Sequence, residues 1–106
     1  MKSLSLREKA DFLRHLGHPT RLAILEELLK GEKCVSDLHS LLNPTPPNLS
    51  LHLAVLRQLH IVDYLEEQGS RCYFLTRPAL ARTLFSFISE NYPVEPHRTM
   101  LTEAIG

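Results

Sequence analysis

Two groups of side chains in this chain have types and spacings that could do chemistry. The first lies in Thr45-Pro46-Pro47-Asn48-Leu49-Ser50-Leu51-His52 and continues to Arg57. Thr45 reads as a helix N-cap, with Pro46 and Pro47 at the first two helical positions, where no amide is needed. Asn48 and Ser50 would then stand near a helix N-terminus, whose N–H groups and dipole attract phosphate, and could bond phosphate or base edges. Leu51 donates no hydrogen bond but could press on a thymine methyl. His52 and Arg57 could reach a DNA backbone. So could Arg71, a cation just past a Gly69-Ser70 turn, suited to a phosphate or a minor groove.

Each of these has a plain structural alternative. Asn48 and Ser50 could be a solvated face, and Leu51 could pack with Val55. His52, three residues after Leu49, could be a satisfied structural histidine. Arg71 could pair with Glu66 or Glu67 across a hairpin.

The second group is the thiols. Cys34 stands at a helix start, where a thiolate is favoured, and could be one ligand of a soft-metal or metalloid effector site. A single thiolate is a poor metal site, so retention as a small buried residue stands beside that reading. Cys72 alternates with Tyr73 on a strand and is expected to pack. No two of the six histidines stand four residues apart, the spacing that puts two imidazoles on one helical face. There is no nucleophile–base pair in a supporting context, no Gly-rich phosphate loop and no carboxylate cluster, so an enzyme is not expected. No cofactor is indicated with certainty.

Length and composition bound the rest. At 106 residues the chain is one domain, too small to bury a broad apolar surface alone. The formal net charge is zero, so phosphate contact would have to come from a local basic face. Charged sequence at Arg7, Glu8 and Lys9 follows the start directly, without a secretory pattern, and no apolar run approaches a membrane span. A cytoplasmic protein without membrane partners is expected, with its thiols reduced and a disulfide the less favoured fate of the pair.

These side chains must be held by elements whose periods can be read. Leu6, Ala10 and Leu13 predict a first helix ending at Gly17. His18-Pro19 opens a second, striped by Leu22, Leu25 and Leu29 with Ile24 and Leu28, and Gly31 closes it. A short third helix runs from about Cys34 to Leu42, burying Val35, Leu38, Leu41 and Leu42. The fourth faces Leu49, Leu53 and Leu56 inward. The period then changes to that of strands, Ile61–Gln68 and Arg71–Thr76, giving one β-hairpin. A last helix opens at Thr76 and Pro78 and carries Leu80, Leu84, Phe87 and Ile88 on one side, widened by Ala81 and Phe85. The fold class is mainly α with one β-hairpin, in the order α-α-α-α-β-β-α of a winged helix-turn-helix. Residues 1–92 form the DNA-binding and dimerisation domain, and 93–106 a weakly patterned tail.

The run His18-Pro19-Thr20-Arg21-Leu22-Ala23-Ile24-Leu25 resembles the second-helix signature of the ArsR/SmtB repressors. Lys33-Cys34-Val35-Ser36-Asp37-Leu38 resembles the start of that family's third helix, and Thr45 to Arg57 its recognition helix. The hairpin turning at Gly69 resembles its wing. The resemblance covers Leu4 to Ile88 in order and spacing. It implies a homodimer built from the first and last helices, here through Leu6, Leu13, Leu80, Leu84, Phe87 and Ile88. It also implies repression of transcription on double-stranded operator DNA, relieved by an effector. The family's standard metal and thiol sites are not intact. Ser36 stands where the arsenic-sensing form has a second cysteine, and 79–92 contains neither histidine nor cysteine. Pro46 and Leu51 replace polar readers. A winged-helix module that binds protein rather than DNA is the competing expectation.

Overall fold

The leucine spacing builds the helices, and a computed structural model shows how they assemble, describing residues 3–97. The order is α1 (Leu6–Leu16), α2 (Pro19–Leu29), β1 (Lys33–Cys34), α3 (Val35–Leu41), α4 (Leu49–Gln58), β2 (Val62–Glu67), β3 (Ser70–Leu75) and α5 (Pro78–Ser89). The tail expected from 93 onward has no helix or strand through His97, and its remainder lies outside the described residues.

Local chemistry starts each helix. Ser5 Oγ accepts from the Glu8 N–H at 3.1 Å, and the Glu8 carboxylate accepts from the Ser5 N–H at 3.0 Å. This reciprocal box satisfies two amides that the first turn of α1 would leave orphaned. Its backbone bond, and then its side-chain bond, hold the Glu8 carboxyl below the usual carboxylate range. At α2 the His18 Nδ1 accepts from the Thr20 N–H at 3.1 Å, and Pro19 takes the first helical position. Gly31, at φ 138°, lets the chain leave α2 in a conformation a Cβ would oppose.

The core is where α2, α3, α4 and the sheet meet. Ile24, Leu25, Leu38, Leu56 and Ile61 are completely buried, with Leu53 and Val62 almost so. Phe12, Leu80, Leu84 and Phe85 pack on its margin. Outside it lies an unburied apolar face. Leu6 is 82% exposed, Leu13 60%, Phe87 61% and Ile88 46%. Leu13, Leu16, Leu22, Leu84, Phe87 and Ile88 line a shallow apolar cleft of about 150 Å³ between α1 and α5.

Five sequence expectations are corrected here. The hairpin is part of a three-stranded antiparallel sheet of order β1-β3-β2. Two residues carry too little alternation to read as a strand, and β1 exists because β3 offers it an edge. Its register sets Lys33 against Tyr73 and Cys34 against Cys72. Opposed residues point to the same face, and the two cysteines are joined as a disulfide. The expectation of separate thiols rested on compartment alone, which carries no information on distance.

Leu41 is 48% exposed rather than buried, because α3 ends there and Leu42 turns inward instead. Finally, α4 does not begin at Thr45. Its N-cap is Asn48, in the left-handed region at φ 61°. A residue before proline is steered away from helical geometry, and Thr45 and Pro46 both precede one. The hairpin turn is Gln68-Gly69, with positive φ at both residues as a two-residue type I′ turn requires, so the turn lies one residue earlier than expected.

Leu56 is the natural probe of this core. Leu56→Ala should lower the free energy of unfolding by about 2–5 kcal/mol, read from denaturant midpoints at constant slope. A loss below about 1 kcal/mol would mean that the packing does not centre on α4.

Candidate nucleic-acid interface

The delayed start of α4 decides which side chains it presents. Asn48 accepts backbone bonds from the Leu51 and His52 N–H groups at 3.0 and 3.1 Å, while its side chain makes no capping bond. Its amide therefore stands exposed at the helix entrance beside exposed Ser50. Thr45 is placed differently from the expectation. Its hydroxyl donates to the His39 carbonyl at 2.7 Å and ties the turn to the end of α3, so it caps nothing in α4. Leu51 projects outward at 57% exposure and does not join the core. Leu49, Leu53 and Leu56 face inward as expected and fix the rotation of the helix.

His52 is half-buried on the inner margin of α4. The Arg21 Nε donates to its Nδ1 at 3.3 Å, and its ring lies 4.5 Å from that of His18. Arg21 also donates to the His15 carbonyl at 2.6 Å, so one guanidinium joins the end of α1, α2 and α4. A guanidinium is only a donor, so His52 Nδ1 is the acceptor and its proton sits on Nε2. Desolvation first, and then the neighbouring His18 and Arg21, hold the His52 imidazolium below the usual histidine range. His52 is thus neutral at pH 7 and bonded inside the fold, the structural alternative for this residue.

The C-terminal end of α4 meets the wing through one aromatic ring. Arg57 Nε donates to Asp63 Oδ1 at 3.0 Å, and the same oxygen accepts from the Tyr64 N–H at 2.8 Å. These bonds, the backbone one first, hold the Asp63 carboxyl below its usual range, and the Asp63 bond raises Arg57. The Arg57 guanidinium lies 4.7 Å from the centre of the Tyr64 ring and that of Arg71 lies 4.5 Å from it. Arg71 also approaches Glu66, its cross-strand partner, at 3.9 Å, as the hairpin alternative allowed. Both ion pairs are exposed and screened by water, so they contribute little to stability. A phosphate could exchange for either carboxylate at small cost.

Asp63, Tyr64 and Arg21 were not singled out from the sequence. Tyr64 meets Tyr73 only in the folded register, and two arginines separated by a helix end and a hairpin share no local period. Cys34 is not part of this surface. It lies at the N-cap of α3, bonded to Cys72.

A short helix entering from a turn, a second helix with an outward polar face and a hairpin bearing a cation beside it define a winged helix-turn-helix DNA-binding protein. The comparisons agree. Residues 18–64 match the pattern described as "Bacterial regulatory protein, arsR family". The biofilm growth-associated repressor of Agrobacterium fabrum is 38% identical over 77 residues, 73% of this chain and 66% of that protein. The HTH-type transcriptional regulator Rv0081 of Mycobacterium tuberculosis is 34% identical over 77 residues, covering 72% of this chain and 68% of its own length. Its crystal structure superposes with a TM-score of 0.66 at 30% identity, over 82% of this chain and 95% of that one. The homodimeric winged helix-turn-helix DNA-binding domain Mb0332 of Mycobacterium bovis superposes at 0.58 with 28% identity, covering 84% and 87% of the two chains. The chain spans about two thirds of the length of the curated relatives it matches. It belongs to the arsR family of bacterial regulatory proteins, which are transcriptional regulators and not enzymes.

The His52 arrangement has a pH signature. An unfolded chain takes up the proton near pH 6.5, the folded one only at lower pH. The stability is therefore present above 6.5 and is lost as pH falls through the lowered folded value. His52→Asn, which keeps an acceptor for Arg21, should flatten that acid-side loss in denaturation series on either side of 6.5. An unchanged slope would contradict the assigned neutral form.

Proposed function

We propose that the protein represses transcription by binding an inverted-repeat operator as a homodimer, in the cytoplasm, and that an effector releases it. The observation that carries this reading is the convergence of Arg57 and Arg71 on Tyr64. It sets one cation from the recognition helix and one from the wing against the same ring, although the chain as a whole has no net charge. Asn48 and Ser50 set the N-terminal end of α4 at the groove, and Leu51 supplies an apolar contact to a base edge. Thr45 lies exposed in the turn leading into α4, within reach of the flanking backbone, and His52 supports the helix from behind. With Pro46 and Leu51 in place of polar readers, affinity rests chiefly on phosphate contacts and on half-site spacing. Two α4 helices related by a twofold axis would enter successive major grooves about 34–36 Å apart.

The twofold partner sits on the apolar face of α1 and α5. Leu6, Leu13, Phe87 and Ile88 are exposed there, with Leu80 and Leu84 beneath them at the core margin. A chain of this size gains from covering such a face, and the solved Mb0332 relative is homodimeric. No helix of the described residues is long and apolar enough to cross a membrane.

Two measurements test the reading. Phe87→Asp should convert a dimer to monomer, or unfold it, in sedimentation at micromolar concentration; a wild-type chain that sediments only as monomer would remove the dimer. Arg71→Ala should weaken binding to operator and scrambled duplex alike in fluorescence anisotropy, and lower the salt slope by about one per lost phosphate contact. An unchanged affinity and slope would take the wing off the DNA. No preference of the wild type for any inverted repeat near its own gene would favour a protein-binding module.

A further inference from the structure

The face of the sheet turned away from the core gathers a set of ligands from four points in the chain. Cys34 on β1 lies opposite Cys72 on β3, and Cys72 lies opposite Leu65 on β2. Side chains alternate along a strand, so Glu67, two residues beyond Leu65, shares the face of Cys72. Glu32, just before β1, reaches the same place from the strand's entrance. The alternation is realised in space. One carboxylate oxygen each from Glu32 and Glu67 and the Cys72 Sγ all lie within 4.8 Å of one another. The Cys34 Sγ is bonded to that same sulfur. Cys72 is only 1% exposed yet stands outside the contiguous apolar core, whose sheet contribution is Val62 and Tyr73. Beside it an open cleft of about 570 Å³ is lined by Cys34, Ser36, Asp37, Glu67, Ser70 and Cys72.

We propose that the reduced form of this protein binds one thiophilic divalent cation of the zinc and cadmium class here, with Cys34, Cys72 and Glu67 as ligands and Glu32 as the fourth. The donor chemistry selects the ion. Two thiolates favour a soft or borderline cation, and two carboxylates complete a four-coordinate set. Tetrahedral bonds of about 2.0–2.3 Å place neighbouring ligand atoms roughly 3.3–3.8 Å apart. The carboxylates and Cys72 Sγ must therefore close by about an ångström, which two exposed glutamates reach by side-chain rotation. Asp37 lies outside the Glu32, Glu67 and Cys72 cluster, and its Oδ2 accepts from the Cys34 N–H at 2.8 Å. That bond holds the Cys34 backbone at the entrance of α3.

Loading has two balanced steps. A thiol reductant exchanges with the disulfide, taking two electrons into the Cys34–Cys72 pair and leaving as its own disulfide. The cation then displaces one proton from each thiol, forming two metal–sulfur bonds and releasing two protons. The bonded and metal-loaded states exclude each other, since the disulfide removes both thiolates. What remains then is a pair of exposed carboxylates, which hold such an ion weakly. This site stands apart from the DNA-binding surface, and its test does not require that surface.

The experiment uses the full chain, reduced with a phosphine in the absence of oxygen, and cadmium(II) as the probe. Thiolate-to-cadmium charge-transfer absorbance should rise and saturate at one ion per chain, with two protons released. The disulfide form should show no such absorbance. Cys72→Ser should abolish it. Glu67→Gln, an exposed substitution that leaves the core untouched, should weaken cadmium binding about tenfold or more while keeping the thermal transition. Absence of the absorbance in the reduced chain would overturn the proposal. So would saturation at half an ion per chain, or an affinity in Glu67→Gln equal to that of the wild type.

Discussion

The pairing of two residues of β1 with the middle of β3 is the contact on which the remaining geometry depends. β3 is the central strand, with β2 on one side through a two-residue turn and β1 on the other across 38 residues of sequence. The β2 pairing is local and would form in any hairpin with this turn. The β1 pairing is not local, and it connects the loop after α2 to the wing. Through it the start of α3 acquires a fixed position relative to Arg71. The disulfide from Cys34 to Cys72 adds a covalent tie at the same register. Cross-links over loops of this length stabilise chiefly by restricting the unfolded chain.

A second constraint operates at the other end of α4. Pro46 and Pro47 keep the turn out of helical geometry, and Asn48 absorbs the consequence in a left-handed conformation that its short polar side chain tolerates. The helix is shorter than the sequence suggested, and its first turn presents Ser50 and Leu51. Arg21 braces it from beneath through His52, and Asp63 braces its far end through Arg57. Both braces are hydrogen bonds to side chains that are partly or fully solvated. They orient the helix more than they stabilise it.

The two sides of the molecule divide the work that a small chain must do. The rest of the apolar stripe of α1 and the outer side of α5 are left uncovered by a core built chiefly from α2, α3, α4 and the sheet, to which α1 adds Leu16. The opposite polar surface is neutralised internally, with Asp63 against Arg57 and Glu66 near Arg71. The guanidiniums of Arg57 and Arg71 each lie against one of the chain's own carboxylates at the solvent-exposed surface.

Much of this was legible in the residues. The helical stripes placed Ile24, Leu25, Leu38, Leu49, Leu53 and Leu56 in the core, and His18-Pro19 marked the start of α2. The change of period after Leu59 announced the hairpin, and the run from His18 to Arg57 carried the family resemblance. Those signals are local, because a helix or a hairpin is specified within a few residues by spacing and turn chemistry. Three features were decided only by tertiary contact. β1 has no period of its own at two residues and exists because β3 leaves an edge to pair with. The bond between Cys34 and Cys72 follows from that register, which no spacing in the chain encodes. The sharing of Tyr64 by Arg57 and Arg71 joins a helix end to a strand across the hairpin, so it appears only once the wing has folded back onto α4.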